Sequence, residues 1–430
     1  MIWSRYNEFI QDQDVFFLFN CRTQKWLTLV QELYQCVADN KDNPDEIEQI
    51  HPTLYTTLIE NDFLVPNIEY ELSKCFSEIE KQLESSKFLK LTINPTLDCN
   101  LRCWYCYEDH LKGSEMTAST IATVCKYIDR TFKENDYKRL QLSFFGGEPL
   151  LKYRTVVNPL LKNIKQLCES HDVEFAVSFT TNGVFLTKKI IDEIKNIIPN
   201  VSFQIPFDGD SSLHNQVKKF PNGKGSYEIV KQNAREAVLS GCWVSVRCNF
   251  TKENVPSFQN VIEDFKDLLD KPNLRFSFHK VWQETESDDL KNGIKKLKEN
   301  VAEYTFSSNL DSYFGNSMNP CYGDYADNYV INYNGDVFKC TARDFTSQNR
   351  IGILTDDGEI LFNTRALQRV SKRWTFECPS CRRLPICPIC SQVKSESADG
   401  NCPVKISPEA ISQNIRDYFM DLYRKNKQKQ

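Results

Sequence analysis

The chain has 430 residues and a formal net charge of −5, with 26% charged and 40% hydrophobic residues. That balance describes a globular protein of two or three domains and gives no general attraction to nucleic acid or anionic lipid. No run of about eighteen apolar residues occurs, and the start, Met1-Ile2-Trp3-Ser4-Arg5-Tyr6-Asn7, lacks a signal peptide's apolar core. The expected compartment is the cytoplasm, with neither membrane nor nucleic acid as partner. Seventeen cysteines in a compartment that keeps thiols reduced point to metal or redox chemistry rather than to disulfides. Ten fall in two motif regions, while Cys21, Cys36, Cys75, Cys125, Cys168, Cys242 and Cys248 are scattered and read as small buried apolar residues.

In residues 1–85, Tyr6 to Ile10 and Val15 to Leu29 are rich in aromatic and aliphatic side chains around the turn Gln11-Asp12-Gln13-Asp14, which predicts a β-hairpin. Val30 to Val37 and His51 to Glu60 read as short helices, Asn61 to Pro66 as a brief strand, and Phe76 to Leu83 as a helical linker. The arrangement resembles the winged-helix-like domains that hold a leader peptide as an added strand in many peptide-modifying enzymes. An inert N-terminal cap is the other reading.

Residues 86–285 carry apolar strand candidates at Leu89 to Ile93, Leu140 to Phe144, Glu174 to Phe179, Val201 to Pro206, Trp243 to Cys248 and Leu274 to Phe278. Helical stretches lie between them, clearest at Lys188 to Ile198, where Ile190, Ile191, Ile194, Ile197 and Ile198 share a face. Such alternation predicts an α/β fold, a parallel sheet curled into a partial (β/α)6 barrel of the TIM type. Chemistry in barrels sits where strands end, and the unusual residues fall there. Cys99, Cys103 and Cys106 follow the first strand, Gly146-Gly147-Glu148 the second, Thr181-Asn182-Gly183 the third and Asp208-Gly209 the fourth, while Arg247 and Asn249 close the fifth. Three thiols at this spacing suit an iron–sulfur cube with one iron left open; a zinc site or unrelated thiols are the bland alternatives.

These residues resemble the radical S-adenosylmethionine (radical SAM) enzymes. Cys99, Cys103 and Cys106 match the family's cluster motif, with the aromatic Tyr105 in its expected place. The resemblance implies that Gly146, Gly147 and Glu148 lie near the methionine amino group, where glycine permits close approach. It also implies that Thr181 and Asn182 lie near the ribose, and that Asp208 and Arg247 face the nucleoside and the carboxylate. His214 recurs in relatives as a structural group. The implied chemistry is reductive cleavage of S-adenosylmethionine at a 4Fe-4S cluster, fed by an electron donor such as flavodoxin or ferredoxin, to give a 5′-deoxyadenosyl radical.

Residues 286–315 read as a solvated helix and connection. Seven cysteines then crowd residues 316–405: Cys321, Cys340, Cys378, Cys381, Cys387, Cys390 and Cys402. A pair of zinc ribbons is one reading. Beside the barrel motif, the pattern resembles the SPASM extension of radical SAM maturases with two auxiliary 4Fe-4S clusters, three clusters in all. It departs in having two residues, not three, between Cys387 and Cys390. The resemblance assigns Cys378, Cys381, Cys387 and Cys402 to the outer cluster and Cys321, Cys340 and Cys390 to the inner one. No fourth thiol lies between Cys248 and Cys321, so the inner cluster is expected to have an open iron, or one closed by Asp311, Asn319 or Asp324. Residues 406–430 read as a helix from Ser407-Pro408-Glu409 with a frayed tail from Arg424.

The expected activity is maturation of a ribosomally synthesised precursor peptide, its leader held by the N-terminal domain, with crosslink formation favoured. The rivals are a formylglycine-forming sulfatase maturase, weakened because Leu274 to Gln283 holds no aspartate, and a non-catalytic iron–sulfur scaffold.

Overall fold

The computed structural model describes residues 1–84, 87–108, 110–310, 320–397 and 399–427. The chain divides into two compact units, one of residues 86–313 and 327–366, the other of residues 1–85, 314–326 and 367–430.

In the first unit, parallel strands Phe88–Ile93, Arg139–Phe144, Glu174–Thr180, Val201–Phe207, Trp243–Phe250 and Leu274–Lys280 lie side by side in chain order. These are the six expected barrel strands. Their period-two pattern sorts the faces of the sheet. Phe144, Phe179 and Phe203 stack across neighbouring strands, with ring centroids 4.8 and 5.3 Å apart, and join the apolar core under the helices. The alternate positions are polar: Ser143 and Ser178 meet at 2.8 Å, and Gln141 reaches Ser178 at 3.3 Å. A full (β/α)8 barrel fills its interior with branched apolar side chains, whereas this partial barrel has a polar inner face.

The helix Lys188–Ile197 starts at the Thr187 cap and buries Ile191, Ile194 and Ile197. Asp288–Asn300, expected as solvated, instead buries Leu290, Ile294 and Leu297. Their i, i+4, i+7 spacing puts all three on one face, which the dense charges around them obscure in sequence. Residues of the Cys-rich stretch continue the barrel sheet: Asn328–Ile331 pairs in parallel with Phe88–Ile93, and Asp336–Phe338, Gly352–Leu354 and Ile360–Phe362 follow antiparallel.

In the second unit, strands Asn7–Asp12, Val15–Asn20 and Lys25–Leu29 form an antiparallel sheet. The expected hairpin has its turn at Gln13 and Asp14, because Asp12 pairs with Val15. The long second arm breaks into two strands where Asn20 Oδ1 accepts from the backbone N–H groups of Arg22 and Thr23 at 3.0 and 3.1 Å, a side-chain-closed turn. Helices Gln31–Asp39, Asp45–Ile50 and Pro52–Glu60 follow, then strand Leu64–Val65 paired with Ile2–Trp3, then helix Ile68–Glu84. The last helix, Pro408–Lys427, runs through the first residues of the expected frayed tail and buries Ile415 and Phe419 among Phe17 and Phe19. Glu8, 5% exposed, pairs with Arg382 at 2.7 Å and Arg416 at 3.0 Å, so a buried carboxylate of the N-terminal sheet is neutralised by two cations from the end of the chain. Among the scattered cysteines, Cys21, Cys75, Cys168, Cys242 and Cys248 are buried, while Cys36 and Cys125 are half-buried. Among the described residues, no helix is long and apolar enough to cross a membrane.

Candidate active site

The loop after the first barrel strand carries Cys99, Cys103 and Cys106, all half-buried. Burial pushes the Cys99 thiol up to about 12, and the nearby Glu148, Cys103 and Cys106 add to the rise. Burial likewise pushes Cys106 up to about 11, again with Cys103 beside it.

The second-strand loop is fitted against this one. Gly147 N–H donates to Thr96 O at 3.1 Å and Glu148 N–H to Asp98 O at 2.8 Å. A Cβ on Gly146 would stand 2.4 Å from Thr96 O, and one on Gly147 2.2 Å from Asp98 O. The close approach that demands glycine is thus to the backbone of the cysteine loop. Glu148 is fully buried and accepts from Leu150 N at 2.9 Å, Thr181 Oγ1 at 2.8 Å and Asn182 N at 2.7 Å. Burial lifts its carboxyl to about 7, against those three donors. Asn182 passes the connection on, donating to Asn100 Oδ1 at 2.8 Å and to Cys99 Sγ at 3.7 Å.

The other side of the loop meets the fourth and fifth strands. Tyr105 OH donates to Asp208 Oδ1 at 2.6 Å and accepts from Asn249 Nδ2 at 3.0 Å. Asn254 Nδ2 donates to Asp208 O at 3.1 Å and Asn249 O at 3.0 Å, binding the two strand ends. Arg247 is half-buried. Its one side-chain hydrogen bond among the described residues runs from Nε to Asn249 Oδ1 at 2.9 Å, leaving the guanidinium terminus unengaged there. At the sixth strand, Gln283 donates to Tyr105 O at 3.1 Å, and His279 lies 2.8 Å from Ser277 Oγ. Burial, helped by Arg247 and Arg275, pushes His279 down to about 4.

All the barrel residues singled out from sequence therefore belong to one connected mouth. Sequence reading missed Lys218, whose ammonium lies 2.9 Å from Asp208 Oδ2 and donates to Tyr105 OH at 2.7 Å and Cys103 Sγ at 3.4 Å. No periodicity marks it, since Lys219 beside it is exposed. Asn100, Asn254 and His279 were missed for the same reason. His214 accepts from Asp208 N at 3.4 Å and meets Ser226 Oγ at 3.2 Å, and burial pushes it down to about 3, so it is a neutral brace.

The mouth fits a cluster with a polar chelating ligand: three thiols on one loop, an unengaged guanidinium, and Asn100 Nδ2 and Asn94 Oδ1, buried without a partner among the described residues. Among the described residues, no three His, Cys, Asp or Glu side chains converge closely enough for a single metal ion.

In the other unit, Cys378, Cys387 and Cys402 all lie near Cys381, whose thiol is raised by burial and by these neighbours. Thr375 N–H donates to Cys378 Sγ at 3.3 Å. Cys321 and Cys390 are neighbours as well, and a hydrogen bond from Cys321 draws the Cys390 thiol down. Cys340 belongs to the barrel unit, beyond strand Asp336–Phe338. Asp324, a candidate fourth ligand, is already engaged: it accepts from Ser391 N at 3.0 Å and Ser391 Oγ at 2.5 Å, and pairs with Arg369 at 3.6 Å. Asp311 and Asn319 lie outside the described residues.

A parallel α/β sheet bearing three thiols at its carboxyl mouth defines a class. Residues 93–265 match the Radical SAM superfamily, and this stretch is a radical SAM domain. The chain is similar to the radical SAM cyclopropyl synthase TigE of Paramaledivibacter caminithermalis, 27% identical over 238 residues, 48% of this chain and 45% of that protein. It thus spans about half of that relative's length. Two solved structures share the fold. SuiB of Streptococcus suis superposes with a TM-score of 0.52 at 16% identity, over 93% of this chain and 98% of SuiB. The protein anSMEcpe with bound AdoMet and a Cp18Cys peptide superposes with a TM-score of 0.53 at 17% identity, over 79% of this chain and 97% of that one.

Proposed function

We propose that this protein is a radical SAM maturase that crosslinks a ribosomally synthesised peptide. The observation that carries this reading is the grouping of Cys378, Cys387 and Cys402 around Cys381 in a chain that already has a radical SAM domain. Crosslinking removes two hydrogens from the peptide, and a second redox-capable centre can accept the electron that closing the new bond releases. That a neighbour of the same fold carries both AdoMet and a peptide supports the substrate class.

In this reading Cys99, Cys103 and Cys106 hold one 4Fe-4S cluster. When bound, that cluster and S-adenosylmethionine supply hydrogen-atom abstraction from an unactivated carbon. Arg247 orients the methionine carboxylate with its unengaged guanidinium, while Tyr105, Thr181, Asn182 and Asp208 line the nucleoside site. Glu148 keeps the second- and third-strand loops in register. Cys378, Cys381, Cys387 and Cys402 would hold one auxiliary cluster, and Cys321 and Cys390 are candidate ligands of another. The exposed edge of strand Lys25–Leu29, last in its sheet, suits addition of the leader as a fourth strand.

The test is anaerobic incubation with S-adenosylmethionine, a low-potential reductant such as reduced flavodoxin, and the precursor peptide. The expected result is 5′-deoxyadenosine together with a peptide lighter by two hydrogens. In Cys103→Ala both products disappear while absorption from the auxiliary clusters stays. Loss of sulfur from a cysteine of the peptide, giving formylglycine, replaces crosslinking by the sulfatase-type reaction. Absence of 5′-deoxyadenosine from the fully loaded wild type leaves only the scaffold.

A further inference from the structure

Lys218 is 3% exposed and Asp208 1%. Burying an ammonium is costly unless its charge is paired and its donors are used. Asp208 Oδ2, at 2.9 Å, provides the pairing. Two donors go to Tyr105 OH at 2.7 Å and to Cys103 Sγ at 3.4 Å, so a sulfur of the cysteine triad is one of this cation's three partners. The position is fixed from behind. Lys218 follows the short helix Ser211–Val217, its N–H donates to His214 O at 2.7 Å, and its carbonyl accepts from Ser226 Oγ at 2.6 Å. His214 touches that same hydroxyl and also accepts from Asp208 N. One buried imidazole thereby braces both members of the ion pair.

Resting on the reading that Cys99, Cys103 and Cys106 hold a 4Fe-4S cluster, we infer that Lys218 is a positioning residue that sets this cluster's reduction potential, with Asp208 as the opposing charge. Reduction by one electron from a low-potential donor adds one negative charge to the cluster and its thiolates. Net charge and hydrogen bonds to the sulfurs are the protein's means of tuning that step. A buried cation bonded to Cys103 Sγ favours the reduced form, and the adjacent carboxylate holds the effect in check. The two side chains therefore act in opposite directions.

The experiment is a potentiometric titration of the full, cluster-loaded chain followed by electron paramagnetic resonance. The signal of a Cys99→Ala/Cys103→Ala/Cys106→Ala variant is subtracted to remove the auxiliary clusters. Lys218→Met is expected to lower the midpoint potential by a tenfold change in the reduction equilibrium, about 59 mV for one electron, and Asp208→Asn to raise it. Lys218→Arg, which keeps the charge, and Lys218→Met/Asp208→Asn, which removes both charges, stay near the wild type. A purely structural lysine gives a different result: iron content and melting temperature fall in Lys218→Met, while the midpoints of all cluster-bearing variants agree within threefold in the equilibrium constant. That agreement, in whichever variants fold, overturns the inference and leaves the cluster assignment standing. A wild type whose iron and signal match the triple variant overturns both.

Discussion

The carboxylate of Glu148 accepts the backbone N–H of Asn182 at 2.7 Å while its own N–H donates to Asp98 O at 2.8 Å. One buried residue thereby ties the second-strand loop to the third-strand loop and to the cysteine loop. Glu148→Gln puts an amide NH2 in place of an oxygen that already accepts one donor (Oε2) or two (Oε1). We expect a loss of about 3 kcal/mol, read as a lower melting temperature, with reduced iron at the barrel site and normal iron in a Cys99→Ala background.

Gly147 has backbone where a side chain would go, 2.2 Å from Asp98 O. Gly147→Ala must displace the segment that begins the cysteine motif. The expected outcome is iron lost from the barrel site alone, matching the count of the triple cysteine variant. Full loading would show that the loop yields without consequence.

Arg247 should be read out by ligand affinity. An ionic hydrogen bond is worth about 1.5–3 kcal/mol, so Arg247→Met is expected to weaken S-adenosylmethionine binding roughly 10- to 100-fold, measured by equilibrium dialysis on the loaded protein. Unchanged affinity would remove Arg247 from the site.

His214 makes stability depend on pH. Its folded value, about 3, lies below the ordinary value of 6.5, so the unfolded chain binds the extra proton between the two. The contribution is complete above the unfolded value and is lost as pH falls towards 3. At about 1.4 kcal/mol per unit, the loss is on the order of 5 kcal/mol. Urea unfolding at pH 7 and pH 4 is expected to show a smaller difference in His214→Asn than in the wild type, whose acid sensitivity from other groups the variant shares.

The barrel was legible because its strands are long, apolar and separated by helices. The site was legible because Cys99, Gly146, Asn182, Asp208 and Arg247 interrupt that pattern at successive strand ends. Helix Asp288–Asn300 shows the limit: three leucine and isoleucine residues suffice to dock it, and lysines hide them from a reading by composition.

The sequence by itself determined the cysteine spacing, the barrel strands and the polar residues of the mouth, since all of these depend on local chemistry and periodicity. Only the tertiary structure decided which backbone fills the space beside Gly147, which cations neutralise Glu8, and which of two adjacent lysines is buried at Cys103. Each of those outcomes depends on a partner at least 49 residues away, and a charge or a gap is assigned its partner only when the chain folds back on itself.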